Sequence, residues 1–366
     1  MMKFFRNSLL LAFAVFATSA TAQKMRVHFI NVGQGSAVLV EFPCHVMLVD
    51  TGGEQVYATK NSNAFNSNVK LMSYLDQFFD ERKDLNDQLD LLVITHPHQD
   101  HTRGIPLVLK KYKPRNVIHN NQSSGSGKKE QAILKEYVRD TEDVRGWYVM
   151  EGHIDAKRGM ANSIIDPFDE CEGIDPKITA LWGQVKNKDG WHSNEFGDEN
   201  NHSLLVRVDF GLASLLFTGD IEETEKGWEA AIEHILEKYD GTDLLDVDVL
   251  HVSHHGSQTG STDAFIKAIS PEISVMTTGP PCWRPEYSAF SHANPRKNTI
   301  EDLLKYTTGK REIATVKYFD GSESEPMEMD ITAAIYATGW DGNIVLETDQ
   351  DGKWELDSLS GYEGCK

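Results

Sequence analysis

The run Thr95-His96-Pro97-His98-Gln99-Asp100-His101 puts four potential metal ligands within six positions, spaced H-x-H-x-D-H. It follows directly on the apolar stretch Leu91-Leu92-Val93-Ile94 and precedes a helix-like stretch over 102–112. Strand, loop and helix in that order make an α/β unit, and α/β proteins place their chemistry in loops at the C-terminal ends of strands. Imidazole and carboxylate together suit Zn²⁺ and its transition-metal neighbours. His96 and His98 are two residues apart, so in extended backbone they point the same way and can grip one ion. Pro97 keeps His96 out of helical geometry. Asp100 and His101 come after a turn and can grip a second ion close by.

Residues 1–22 read as a secretory leader. Lys3 and Arg6 make a basic start, Leu9 to Ala17 an apolar centre, and Ala20-Thr21-Ala22 a small-residue cleavage site. The apolar centre is too short to span a bilayer. The expectation is an exported protein beginning near Gln23, with no membrane anchor after cleavage. Losing the leader removes Lys3 and Arg6 and no acid, which takes the formal charge from −20 to −22. Such a field repels polyanions and disfavours tight non-specific nucleic-acid binding, which needs a basic footprint. Four cysteines, Cys44, Cys171, Cys282 and Cys365, remain after the leader. Export permits disulfides, four cysteines allow three pairings, and no C-x-x-C spacing points to metal.

Periodicity predicts strands over 25–31, 37–42 and 45–49, then a long helix over 63–83 with Val69, Met72, Leu75, Phe78 and Phe79 on one side. A strand over 116–119 and a Gly/Ser turn over 123–129 carrying Lys128 and Lys129 follow. Residues 140–200 show one clear strand, 178–182. Strands over 204–210 and 215–217 flank a hairpin turn at Gly211, which brings His202 and Asp220 to the same end of a sheet. A helix over 222–239 and a strand over 246–252 lead to His254-His255-Gly256-Ser257. One of these two histidines should complete the second ion, and spacing does not choose between them. A helix over 264–269, a strand over 273–277 and a helix over 296–306 precede a β-rich end. There 331–336 and 343–347 read as a hairpin about Gly339-Trp340-Asp341-Gly342, followed by a second turn at 349–352.

His96-x-His98-x-Asp100-His101 resembles the signature of the metallo-β-lactamase superfamily. Asn31-Val32-Gly33-Gln34-Gly35-Ser36-Ala37, Leu48-Val49-Asp50-Thr51-Gly52, Phe217-Thr218-Gly219-Asp220 and Val252-Ser253-His254-His255-Gly256-Ser257 resemble one branch of it. That branch contains the hydrolase domain of the competence DNA-uptake protein ComEC. The resemblance runs from about Met25 to about Leu356. It implies an α/β fold, the four-layer αβ/βα sandwich of two mixed β-sheets flanked by helices. It also implies one hydrolase domain over 23–310, with the β-rich extension over 311–366 completing it.

The resemblance further implies two Zn²⁺ ions, with Mn²⁺ as the alternative. His96, His98 and His202 would hold one ion. Asp100, His101 and one of His254 or His255 would hold the other, with Asp220 shared between them. Asp50 would support the ligands from behind, and Ser36 stands where relatives often carry Asp. Asp100 would also orient the nucleophile. Ser291-His292-Ala293-Asn294-Pro295 resembles a late motif of the branch, in which His292 would protonate a leaving group or bind a phosphoryl oxygen. Two clustered ions make a hydroxide at neutral pH and stabilise oxyanion charge. The leading expectation is an exported phosphodiesterase acting on a small-molecule or phosphodiester substrate. A lactonase or β-lactamase-like ester or amide hydrolase is the alternative, and a non-catalytic, metal-stabilised binding protein stands behind both.

Overall fold

The structure is a computed structural model, and it describes residues 23–53, 66–171, 173–186, 196–223, 231–279, 292–321 and 325–361. The leader, Cys282 and Cys365 lie outside the described residues.

Three apolar clusters define four layers. The strands β1 (Lys24–Phe29), β2 (Val38–Glu41), β3 (Val46–Val49) and β4 (Leu91–Ile94) are buried on both faces or nearly so. Successive side chains in a strand point to opposite faces. Met25, Val27, Val38, Val40, Met47, Val49, Leu91 and Val93 therefore join one cluster, and Leu39, Leu48, Leu92 and Ile94 another. The first of these clusters also takes Val206, Val208, Phe210, Leu215 and Phe217 from β8 (Leu205–Phe210) and β9 (Ala213–Phe217). It is the core between two facing sheets. The second packs the helices α1 (Ser67–Glu81), α3 (Ile105–Tyr112) and α4 (Lys128–Asp140) on the outside of the first sheet, with the short helix α2 (Gln99–Thr102) following β4 in the ligand motif. A third cluster sets α5 (Ala231–Tyr239), α6 (Asp263–Ile269) and α7 (Lys297–Tyr306) against the other sheet. The protein has the αβ/βα sandwich fold.

With β5 (Asn116–His119), β6 (Arg145–Tyr148), β15 (Ile344–Asp349) and β16 (Trp354–Leu359), the first sheet runs β16-β15-β1-β2-β3-β4-β5-β6. The second adds β7 (Lys177–Trp182), β10 (Val249–His251), β11 (Ile273–Met276) and β14 (Ile335–Ala337) in the order β14-β11-β10-β9-β8-β7, while β12 (Lys310–Tyr318) and β13 (Met327–Ala333) pair antiparallel in a separate two-stranded sheet. Both sheets are mixed. The pairs β3–β4, β4–β5, β9–β10 and β10–β11 are parallel, so Asp50, Thr95, Asp220 and Val252 all follow strand ends. Parallel strands cluster their C-terminal ends at one edge, and there ligands bind in open α/β sheets.

Several expectations change. The strands 331–336 and 343–347 are not a hairpin: β14 pairs parallel with β11 in the second sheet and β15 antiparallel with β1 in the first. The Gly-rich segment between them contains a helical turn, Thr338–Asp341, that carries the chain across the sandwich. Lys128 and Lys129 open α4 instead of sitting in a turn. On α1, Val69 is 58% exposed, and the buried stripe is Leu71, Leu75, Phe78 and Phe79. That spacing of i, i+4, i+7 and i+8 follows the helical period more closely. Cys44 and Cys171 form a disulfide with Cα atoms 5.8 Å apart.

Candidate metal centre

The centre is assembled from the ends of five strands, and its backbone is packed without slack. Asp50 ends β3 in the left-handed region, at φ 58°. Ser36 donates its N–H to the Asp100 carbonyl at 2.9 Å, and Thr51 donates to the His101 carbonyl at 2.8 Å. A Cβ on Gly52 would stand 1.7 Å from that Asp100 oxygen, so only glycine lets the Asp50 turn lie against the ligand loop. The Gly33-Gln34-Gly35 turn presses on the same oxygen: a Cβ on Gly35 would be 2.5 Å away.

Each inner histidine has one nitrogen turned outward to an acceptor and the other turned inward. His101 Nδ1 donates to Asp50 Oδ2 at 2.7 Å. His255 Nδ1 donates to the Thr277 carbonyl at 2.6 Å. The Thr95 hydroxyl donates to the Asp50 carboxylate, 2.9 Å away, and accepts from His96 Nδ1 at 3.1 Å. His98 reverses the pattern: its Nε2 faces the Glu199 carboxylate at 3.6 Å. When these rings are neutral, the acceptors hold the proton on the outer nitrogen and the inward nitrogen offers its lone pair. Yet His101 Nε2 and His255 Nε2 are 3.3 Å apart, and His96 Nε2 and His98 Nδ1 are 3.1 Å apart. Asp220 Oδ1 lies 3.2 Å from His101 Nε2, and its Oδ2 lies 3.8 Å from His96 Nε2. Asp100 Oδ2 is 3.4 Å from His255 Nε2. Opposed lone pairs at this distance, ringed by carboxylates, suit a cation between them. Asp100, His101, Asp220 and His255 bring one donor atom each to within 4.8 Å of one another.

The charge balance of the cluster agrees. Burial opposes charge on His255, but Asp220 and the contact with Asp100 overcome it and push its pKa up to about 10. His101, against Asp220 and Asp50, is likewise raised despite burial. Burial also opposes the charged form of Asp220, yet His101 and His255 hold its carboxyl well below the usual range. His96 is pushed down by burial and by the positive charge at His101. In the metal-free protein, protons on His101 and His255 thus supply the positive charge that Asp220 calls for, and a cation held between the inward nitrogens would displace those protons and take their place.

The two adjacent histidines separate. Both have positive φ, 48° at His254 and 54° at His255, which turns their rings in different directions. His255 enters the cluster. His254 sits at the rim, with Nε2 4.0 Å from Asp220 Oδ2 and Nδ1 3.0 Å from Glu222 Oε2. His202 does not enter the cluster. Its Nδ1 accepts from the Val185 N–H and its Nε2 donates to the Phe196 carbonyl, both at 2.9 Å, so neither nitrogen is left for an ion. The hairpin puts His202 at the right end of the sheet, but its ring is claimed by backbone groups of the preceding segment. His292 is exposed. Its turn packs close by, since Arg296 donates its N–H to the Gly256 carbonyl at 2.9 Å and a Cβ on Gly256 would meet Pro295 at 2.8 Å.

Sequence reasoning missed Glu199, Glu222 and Thr277. Each acts on a histidine far away in the chain, His98, His254 or His255, and carries no spacing signal. Thr95 was visible as the residue before His96, but its role depends on Asp50 lying across the strand pair.

A four-layer sandwich with a histidine–aspartate cluster at the shared edge of its sheets defines a class of metal-site proteins. The chain belongs to the metallo-beta-lactamase superfamily, whose model matches residues 30–279. This superfamily is generally hydrolytic and typically uses metal ions. The chain is similar to the ComE operon protein 3 of Bacillus subtilis (strain 168), 24% identical over 273 residues, which are 73% of this chain and 30% of that protein. It is similar to Recombination protein 2 of Haemophilus influenzae, 23% identical over 279 residues, which are 76% of this chain and 27% of that protein. The match thus spans under a third of the length of these relatives. Among solved structures, the metallo-beta-lactamase fold protein YhfI from Bacillus subtilis aligns over 84% of this chain and 100% of its own, at 12% identity and a TM-score of 0.41.

Proposed function

We propose that this protein is an exported metal-dependent hydrolase that cleaves phosphodiesters at a two-ion centre. The observation that carries this reading is the pair of opposed imidazole contacts, at 3.3 Å and 3.1 Å, with one carboxylate, Asp220, reaching toward both. Asp100, His101 and His255 would hold one ion, His96 and His98 the other, with Asp220 between them. When bound, such ions activate water and stabilise the charge that builds on a phosphoryl or acyl oxygen.

The chain's own residues supply the rest. Asp50 and Thr95 fix the tautomers of His101 and His96, which keeps their Nε2 lone pairs inward. Asp100 is placed to orient a water at the centre. His254, backed by Glu222, is positioned at the rim to pass a proton to a leaving group. No serine or cysteine nucleophile is required. Phosphodiester chemistry is what the likeness of the site motifs to the ComEC hydrolase branch implies. The acidic balance of 56 Asp and Glu against 36 Lys and Arg favours small phosphodiesters over long polyanions. Export rests on the leader-like residues 1–22.

The test is hydrolysis of bis(4-nitrophenyl) phosphate by the Zn²⁺- or Mn²⁺-loaded protein, beside Asp100→Ala and Asp220→Ala. The reading requires turnover by the wild type and a loss of roughly a hundredfold or more in each folded variant. A wild type that holds two ions, leaves the phosphodiester intact and opens lactones or β-lactams would replace it with the ester or amide reading. Bound metal with no turnover on any ester would leave a binding protein.

A further inference from the structure

Away from the sheet edge, three side chains of metal-ligand type meet where spacing in the chain gives no hint of it. Cys44 and His45 turn the corner between β2 and β3, and Cys171 reaches them across 127 residues. The Sγ atoms of Cys44 and Cys171 and one nitrogen of His45 lie within 4.8 Å of one another. The sulfurs are joined as a disulfide, which leaves them no charge to offer an ion. Reduced, they become two thiolate donors beside an imidazole. That set holds Zn²⁺ at three points and leaves a fourth position open.

The donors do not depend on the S–S bond for their places. The Phe42 N–H donates to the His45 carbonyl at 2.9 Å, and Arg82 Nη2, at the end of α1, donates to the Pro43 carbonyl at 2.8 Å. Both bonds hold the corner closed. Cys171 exchanges two backbone hydrogen bonds with Ile174, at 2.8 and 3.1 Å, and Ile174 and Phe168 belong to the core between the sheets. Phe168 also lies against the His45 ring, with centroids 5.1 Å apart. A tetrahedral ion spaces its donors by about 3.5 Å, so the sulfurs have only to part while both arms stay. Cys171 is buried, but Cys44 is exposed and open to a reductant.

The surroundings favour a cation. His45 Nε2 donates to Asp169 Oδ1 at 2.8 Å, and its Nδ1 faces Asp90 Oδ2 at 3.4 Å. The nitrogen that takes an ion gives up its proton, and the other keeps a carboxylate to orient the ring. Asp90 is fixed by the Val46 N–H at 3.0 Å. Asp169 is 89% exposed and free to swing onto the open position.

We infer that reduction of the Cys44–Cys171 bond opens a metal site, separate from the edge centre, for one zinc-type ion held by both sulfurs and His45. Disulfide and ion are then alternative ties between the same two chain segments. A dithiol reductant supplies the two electrons: its own sulfurs join, the Cys44–Cys171 bond breaks, and its two protons pass to the cysteines. The ion releases those protons as it binds the thiolates.

The test uses the chain with Cys282→Ser and Cys365→Ser, so that no other thiol answers. It is titrated with Co²⁺ before and after reduction by a water-soluble phosphine, which ends as its oxide with oxygen taken from water and does not compete for the ion as a dithiol does. Oxygen and nitrogen ligands give no thiolate-to-cobalt charge-transfer band, so the edge centre is silent in this readout. The band should be absent from the oxidised protein and rise to one equivalent in the reduced one. His45→Ala should weaken this binding by about a hundredfold, the top of the range that loss of a supporting partner alone costs. Reduced protein with native circular dichroism and no band would overturn the inference. So would a disulfide that the phosphine leaves intact in the folded protein, or a band as tight in His45→Ala as in its parent. If reduction unfolds the chain, Co²⁺ must restore fold and band together, and failure to do so would overturn the inference as well.

Discussion

Asp50 and His101 are joined by a 2.7 Å hydrogen bond, from imidazole Nδ1 to carboxylate Oδ2, where neither side chain reaches solvent. The same carboxylate accepts from the Thr95 N–H at 2.9 Å and from its hydroxyl. One buried acid thus sets the direction of His101 directly and of His96 through Thr95. It does so from a left-handed turn that Asn tolerates nearly as well as Asp.

That makes Asp50→Asn the informative substitution. Asn keeps the turn and one acceptor oxygen but loses the charge and the second oxygen. Metal affinity should fall by about 10- to 100-fold, with little change in the melting point of the metal-free protein. Chelator competition measures the first quantity and calorimetry the second. Unchanged affinity would mean that His101 is held by its neighbours alone.

Gly52→Ala tests the backbone beneath the ligands. Its new Cβ would stand 1.7 Å from the Asp100 carbonyl oxygen, a fixed backbone atom with no rotamer to move. The Asp100–His101 loop must shift to make room. The expected cost is about 3 kcal/mol in unfolding free energy, together with weakened metal binding. Ala at Gly152, where an added Cβ would meet nothing within 4 Å, is the matched control and should be nearly neutral in urea denaturation.

The parts of this architecture that sequence made legible are those where burial imposes a strict period. Strands β2 to β4 are apolar on both faces, so they read as short continuous runs, and the ligand motif sits at the end of the last of them. Strand β6 is an edge strand with three of four residues exposed, and it left no such trace. Helix α4 buries only Gln131 and Leu134 and begins at Gly127 without a side-chain cap. Its polar surface hid the helical period. Between β14 and β15 the glycines suggested a hairpin, because local turn chemistry does not reveal that the two strands belong to different sheets. At the site, spacing located the backbone positions of His202 and His254 but not the direction of their rings. Val185, Phe196 and Glu222 decide those directions from elsewhere in the chain.

Cys44, in the turn between β2 and β3, is bonded to Cys171 across 127 residues of chain. Closing so long a loop restricts the unfolded chain strongly, and removal should cost about 4 kcal/mol. Cys44→Ser with Cys171→Ser, denatured in urea beside the wild type, measures this without leaving a lone thiol. A wild type equally stable with and without a reductant would show that the bond adds nothing.

His119 gives the protein a pH dependence away from the metal centre. It ends β5, is 6% exposed, and its Nδ1 accepts from the Asn121 N–H at 2.8 Å and from the Gln131 side chain at 3.4 Å. Burial, reinforced by the positive charge of Lys135, pushes its pKa down from 6.5 to about 4. Because the folded value lies below the unfolded one, the unfolded chain binds the extra proton first. Stability is therefore complete above pH 6.5 and drains away as pH falls toward 4, by about 3 kcal/mol in total. His119→Asn keeps an acceptor near Nδ1 and cannot titrate. The gap in unfolding free energy between wild type and variant should shift toward the variant between pH 7 and pH 4, measured by urea denaturation at fixed ionic strength. A gap that stays constant across that range would mean that His119 takes up its proton at the same pH in the folded and unfolded chains.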